Sequence, residues 1–114
     1  MDIQLIALDL DRTTLNSQGK LSKANYNALS QAIKNGVHVC IASGRAFDTL
    51  PSDVLSVPGI EYAITSNGAA VYNIKTKERI KSYLLTENAI DIIMNICKKY
   101  PDLVPLYDAI YNKG

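Results

Sequence analysis

Three apolar runs, each cut off abruptly by polar residues, set the rhythm of the chain. The first, Ile3-Gln4-Leu5-Ile6-Ala7-Leu8, ends in Asp9-Leu10-Asp11-Arg12-Thr13. The second, Val37-His38-Val39-Cys40-Ile41-Ala42, ends in Ser43-Gly44-Arg45, and the third, Glu61-Tyr62-Ala63-Ile64, in Thr65-Ser66-Asn67-Gly68-Ala69. The first two runs are nearly continuous, which predicts strands buried on both faces rather than the alternation of a half-exposed sheet. Residues 12–20, with Asn16, Ser17 and Gly19, read as a loop or flap. Tyr26, Leu29 and Ile33, with Ala28 and Ala32, then recur at helical spacing, with Ser22 placed to cap the start and Gly36 to stop the end. A shorter helical segment over 46–57 is interrupted by Pro51, and Pro58-Gly59 punctuates the chain.

The resulting β-α-β-α-β order predicts parallel strands joined by right-handed crossovers, hence an α/β fold. Strand ends of one polarity then share an edge, so Asp9, Asp11, Ser43 and Asn67 converge although they are scattered in sequence. From Ala70 the rhythm changes. Residues 70–73 and 79–84, divided by Lys75-Thr76-Lys77-Glu78, predict a hairpin. Thr86 is placed to cap a helix through Lys99, with Ile90, Ile93, Met94 and Cys97 on one face and Lys98 and Lys99 near its negative end. Pro101 stops it, and residues 103–111 predict one more strand.

At 114 residues the chain suffices for a single core. A net charge of +1 with mixed signs gives no long-range attraction for nucleic acid or an anionic membrane, so neither is expected as a partner. Cys40 and Cys97 fall in apolar settings and read as small hydrophobes of a reducing compartment. Asp2 stands where a signal peptide carries positive charge, and no apolar run has the length of a membrane span, so the expected location is cytoplasmic.

The chemistry gathers on Asp9 and Asp11. Side chains two apart on an extended backbone point the same way. Two carboxylates held together repel, and a divalent cation is the commonest relief. The carboxyl ends of strands are also where open α/β sheets bind ligands. A lone aspartate there is an ordinary turn residue; the pair backed by Thr13 is a site.

The ordered set Asp9-Leu10-Asp11-Arg12-Thr13, Ser43-Gly44-Arg45 and Ser66-Asn67-Gly68-Ala69 resembles the motifs of the haloacid dehalogenase-like superfamily, in its Cof-type sugar-phosphatase branch. The resemblance implies a Rossmann-like parallel three-layer core, in part, over residues 1–83, followed after its hairpin by the beginning of an α/β cap domain over 84–114. It implies magnesium-dependent hydrolysis of a small phosphorylated metabolite, sugar phosphate-like, through an aspartyl-phosphate. Asp9 is the implied nucleophile. Asp11 is implied to protonate the departing alkoxide and then deprotonate water. Mg2+ is the implied cofactor, held by Asp9 and Asp11, the latter through its backbone carbonyl. Ser43, with the backbone amides of Leu10 and Gly44, is implied to hold phosphoryl oxygens, and Thr13, Arg45 and Asn67 complete the phosphate-binding set.

Plainer roles stand beside these. Thr13 fixes the loop around the aspartates rather than touching substrate; Ser43 also fits a helix cap; Asn67-Gly68 is either a turn or a pocket wall; Arg45 meets an anionic group or starts a helix in solvent. Arg12 stands where the family usually has glycine, and Thr14 where it has an apolar residue. A long cation at position 12 adds a phosphate contact, crowds the pocket or points into solvent. The family's phosphate-neutralising lysine and later acidic pair lie beyond a complete cap, so the resemblance implies an N-terminal portion that is inactive or weakly active alone. The open edge of the first strand makes self-association a further expectation. The rival is a non-catalytic phosphate-binding or regulatory module of the same fold. A receiver-type phosphoacceptor ranks lower, because Ser43 and Asn67 occupy the later strand ends where its aspartate is expected.

Overall fold

The computed structural model describes residues 2–102. They fall into two compact units that divide after Ser82, and each is described by itself.

The first unit is a five-stranded sheet with helices packed on it. Its strands are β1 (Leu5–Leu8), β2 (His38–Ala42), β3 (Ile60–Thr65), β4 (Ala70–Asn73) and β5 (Arg79–Ser82), arranged β1-β2-β3-β4-β5. β1, β2 and β3 run parallel, and β4 and β5 extend the same sheet antiparallel. The helices are α1 (Lys23–Lys34) and the short α2 (Ser52–Leu55), and Phe47–Thr49 forms a tight turn ahead of α2. The expected hairpin is present, as the last two strands of the sheet.

Local chemistry fixes the ends of α1. The Ser22 hydroxyl accepts the Asn25 N–H at 3.1 Å, filling one of the orphan donors of the first turn. At the far end Gly36 takes φ +86, and the N–H groups of Gly36 and Val37 reach back to the carbonyls of Ile33 and Ala32, both at 3.0 Å. This double bond pattern needs a left-handed residue, which glycine supplies without a Cβ penalty. Replacing Ser22 with alanine is expected to cost about 1 kcal/mol in urea denaturation, and Ser22→Asp to restore most of it.

Burial departs from the sequence expectation. β1 and β2 alternate instead of being buried throughout. Val39 and Ile41 are buried, with Ile6 and Leu8 beside them in register, and Ala63 follows across β3. This face packs on Leu29 of α1 and Val54 of α2, with Leu10, Leu15, Leu50 and Val57 completing the core. The opposite face carries Leu5, 59% exposed, and Tyr62, 43% exposed. Among the described residues of this unit α1 and α2 pack on one face of the sheet, which agrees with the partial α/β core expected. An apolar run reports that a strand has two apolar faces; it does not report what is there to cover them. Cys40 lies on the less covered face, half-buried, and desolvation pushes its thiol above the ordinary range, against reactivity.

The second unit contains α3 (Glu87–Lys99), where Thr86 accepts the Ala89 N–H at 3.1 Å and Lys98 and Lys99 occupy the last turn. Its Ile90, Ile93 and Met94 are exposed. The strand expected over 103–111 lies outside the described residues. No described helix is long and apolar enough to cross a membrane.

Candidate active site

The site begins where β1 stops. Leu10 turns inward and is fully buried, while its neighbours Asp9 and Asp11 stay exposed on either side of it. The chain then makes a wide, π-type turn over Leu10–Thr14, closed by the Leu15 N–H donating to the Leu10 carbonyl at 2.9 Å. Both hydroxyls behind the pair fold back onto Asp9. Thr13 Oγ1 donates to Asp9 Oδ2 at 2.8 Å, and Thr14 Oγ1 to the Asp9 carbonyl at 2.7 Å. Thr13 therefore fixes the nucleophile candidate, the plainer of its two sequence readings. Asp9 Oδ1 takes no hydrogen bond from the described residues.

Asp11 is held from across the sheet. Arg45, at the end of β2, donates through Nε to Asp11 Oδ2 at 2.8 Å and through Nη2 to Oδ1 at 2.6 Å, a two-pronged grip. Its remaining arm, Nη1, donates to the Thr49 carbonyl at 2.9 Å, which locks the fork in place. The hydrogen bonds from Arg45 hold the Asp11 carboxyl below its usual range, with smaller electrostatic help from Arg45 and from Arg12. Arg45, read from sequence as an anion contact or a solvated side chain, is committed to a carboxylate of the site itself.

Ser43 and Asn67 meet at the ends of β2 and β3. The Ser43 N–H donates to Ile64 at 2.9 Å, its carbonyl accepts from the Asn67 N–H at 3.3 Å, and its Oγ accepts the Arg45 N–H at 3.0 Å. Ser43 caps this turn rather than a helix, since α2 starts only at Ser52. With Oγ used as an acceptor, the hydroxyl hydrogen is left to donate to a ligand. Gly44 is small for a reason: a Cβ there would stand 2.8 Å from Asn67 Oδ1. The Asn67 side chain packs onto that gap, so Asn67 is both a turn residue and part of the site wall.

Backbone strain collects around the same edge. Arg12 (φ 62), Ser66 (φ 49) and Asn67 (φ 56) all adopt left-handed conformations. Each costs an L-residue roughly 1–2 kcal/mol, least for asparagine. A glycine at position 12 would take this conformation freely, which is the physical content of the departure from the family's motif.

Several contributors gave no sequence signal. Thr14 reads as a lost apolar residue, and only the width of the turn brings it over Asp9. The Asp53 carboxylate accepts the Leu21 N–H at 2.8 Å and pins the base of the 16–20 loop, and Asn25 Nδ2 donates to the Thr14 carbonyl at 2.9 Å. His38 is exposed and remote from these contacts.

The residues suit one kind of cation. Among the described residues no cluster of three or more Asp, Glu, His or Cys side chains gathers. What is present is a carboxylate with an unused oxygen, Asp9 Oδ1, close in sequence to the Asp11 carbonyl. Magnesium is commonly held by one or two carboxylates and completes its shell with waters and substrate phosphate oxygens, so this donor set fits it.

Comparison with known proteins agrees with this arrangement. The family model described as haloacid dehalogenase-like hydrolase matches residues 6–112. The phosphatase YwpJ of Bacillus subtilis is 41% identical over 73 residues, 62% of this chain and 25% of that protein. The 5-amino-6-(5-phospho-D-ribitylamino)uracil phosphatase YcsE of the same organism is 36% identical over 73 residues, 64% of this chain and 29% of that protein. Among solved structures, BT1666 from Bacteroides thetaiotaomicron, grouped with phosphatases of the haloalkanoate (HAD) superfamily, superposes with a TM-score of 0.78 at 25% identity, covering 87% of this chain and 36% of that one. The chain spans 25% to 36% of the length of these relatives.

Proposed function

Because the chain belongs to the haloacid dehalogenase-like hydrolase family, we propose that its site serves a phosphatase of the Cof-type branch, acting on a small phosphorylated metabolite of sugar-phosphate character. The observation that carries this reading is the convergence of three strand ends: Asp9 steadied by Thr13, Asp11 gripped by Arg45, and Ser43 tied to Asn67. The phosphoribityl substrate in the name of one relative supports the substrate class.

In this reading Asp9 Oδ1 attacks phosphorus, the P–O bond to the alcohol breaks, and Asp11 gives its proton to the departing oxygen. Water then attacks the aspartyl-phosphate, Asp11 takes the water's proton, and phosphate and free Asp9 are restored. Ser43 and the amides of Leu10 and Gly44 hold the equatorial oxygens, where fixed donors stabilise spread charge. Asp9 and the Asp11 carbonyl would hold Mg2+, which would supply the positive charge that offsets the anions brought together there. Both Asp11 oxygens are occupied by Arg45 donors, so Asp11 carries a proton only once one prong lets go. That grip favours a second reading, a module that binds phosphate without turning it over. The reading carries with it a cytoplasmic location, the compartment in which such metabolites are made.

Trifluoroberyllate, which mimics a phosphoryl group on a carboxylate, tests the site without requiring turnover. In fluorine NMR the chain is expected to give a magnesium-dependent bound signal that disappears in Asp9→Asn. A wild-type chain with no such signal overturns the proposal. Calorimetry with inorganic phosphate, run beside hydrolysis of an aryl phosphate in protein of the length its relatives span, separates the two readings, since the module binds and does not hydrolyse.

A further inference from the structure

Every polar side chain next to the aspartate pair has an assignment except one. Thr13 and Thr14 are tied to Asp9, and Arg45 to Asp11 and Thr49. Arg12 is exposed and has no hydrogen bond or ion pair among the described residues. It nevertheless lies within electrostatic reach of the Asp11 carboxylate. It also holds a left-handed backbone that glycine would adopt without strain.

We propose that Arg12 is a substrate-selecting residue, reading a second anionic group on the alcohol portion of the phosphate ester. The inference rests on the phosphatase reading above. Arg12 follows Asp11 directly, and its charge is felt at the Asp11 carboxylate. In the reading above Asp11 serves the leaving oxygen, so a cation that acts on Asp11 is placed to meet the leaving group. A guanidinium presents paired donors in a plane, the geometry that carboxylates and phosphates accept in two-point fashion. Arg45 cannot take that part because its three arms are engaged. The ligand class is thus a phosphate monoester whose alcohol carries a carboxylate or a second phosphate within an arginine's reach.

Two non-hydrolysable phosphonates of equal chain length, 3-phosphonopropionate and propylphosphonate, differ by one carboxylate and isolate the effect. In calorimetry with magnesium, the wild-type chain is expected to bind the carboxylated probe roughly tenfold more tightly, as suits one added charge-assisted contact. Arg12→Gly is expected to bring the ratio close to one while leaving propylphosphonate affinity unchanged, and Arg12→Lys to fall between. Glycine suits the backbone at this position, so the variant tests the side chain in a folded protein. A ratio that survives Arg12→Gly, or a wild-type ratio of one, overturns the inference and leaves the phosphatase reading standing. Failure of the wild type to bind either probe overturns both.

Discussion

Leu10→Ala is expected to lower the stability of the first unit by about 3 kcal/mol and to disorganise the aspartate pair at the same time. Leu10 is fully buried in the cluster with Leu15, Leu29 and Ile41, so truncation removes its transfer energy and leaves a cavity among residues held by the sheet. Its carbonyl also closes the turn that carries Asp11, Arg12 and Thr13. The side chain anchors that turn to the core, and the two carboxylates hang on either side of the anchor. Leu10→Met conserves volume and is expected to cost less than about 1.5 kcal/mol. Urea unfolding measures both; a loss under about 1 kcal/mol for Leu10→Ala would show that the anchor is elsewhere.

Asp11→Asn is expected to reduce hydrolysis of an alkyl phosphate by roughly 10²- to 10⁴-fold, the usual range for losing a positioned general acid. The loss on an aryl phosphate is expected to be much smaller in its first step, because a phenolate of low pKa departs without a proton. Asparagine still offers Arg45 one acceptor oxygen, so the fork is not left wholly unpaired and the effect reports chemistry more than collapse. The comparison is made as the ratio of kcat/KM for the two esters, in the length of protein that turns both over. Equal losses on both esters would remove Asp11 from the acid role and leave it as an orienting group.

Sequence reading reached the elements whose causes are local. Ser22 and Gly36 bound α1 because a hydroxyl and a missing Cβ act within one turn of the chain. The polar residues ending each apolar run were legible as a common edge because parallel crossovers bring strand ends together. Contacts between distant residues were not legible. Arg45 and Asp11 are 34 positions apart, and nothing in either neighbourhood distinguishes a fork gripping a carboxylate from one waiting for phosphate. The burial of β1 and β2 is not legible in the sequence for a similar reason, since coverage belongs to the neighbouring layer and not to the strand. Position 12 was visible only as a departure from a motif; its left-handed backbone shows why glycine is the easier residue there.

The order of strands gives the site an uneven stiffness. β2 and β3, which carry Ser43 and Asn67, each have a partner on both sides, so the spacing between those two residues is set by the interior of the sheet. Among the described residues β1 pairs with β2 alone, over Leu5 to Leu8. The nucleophile side is thereby held by one ladder, by the Leu10 anchor and by the Arg45 fork, while the anion-holding side is braced by ladders on both flanks. Among the described residues the gap between them is bounded by one edge pairing on the aspartate side, and a substrate that widens it works against that pairing and the Leu10 anchor together.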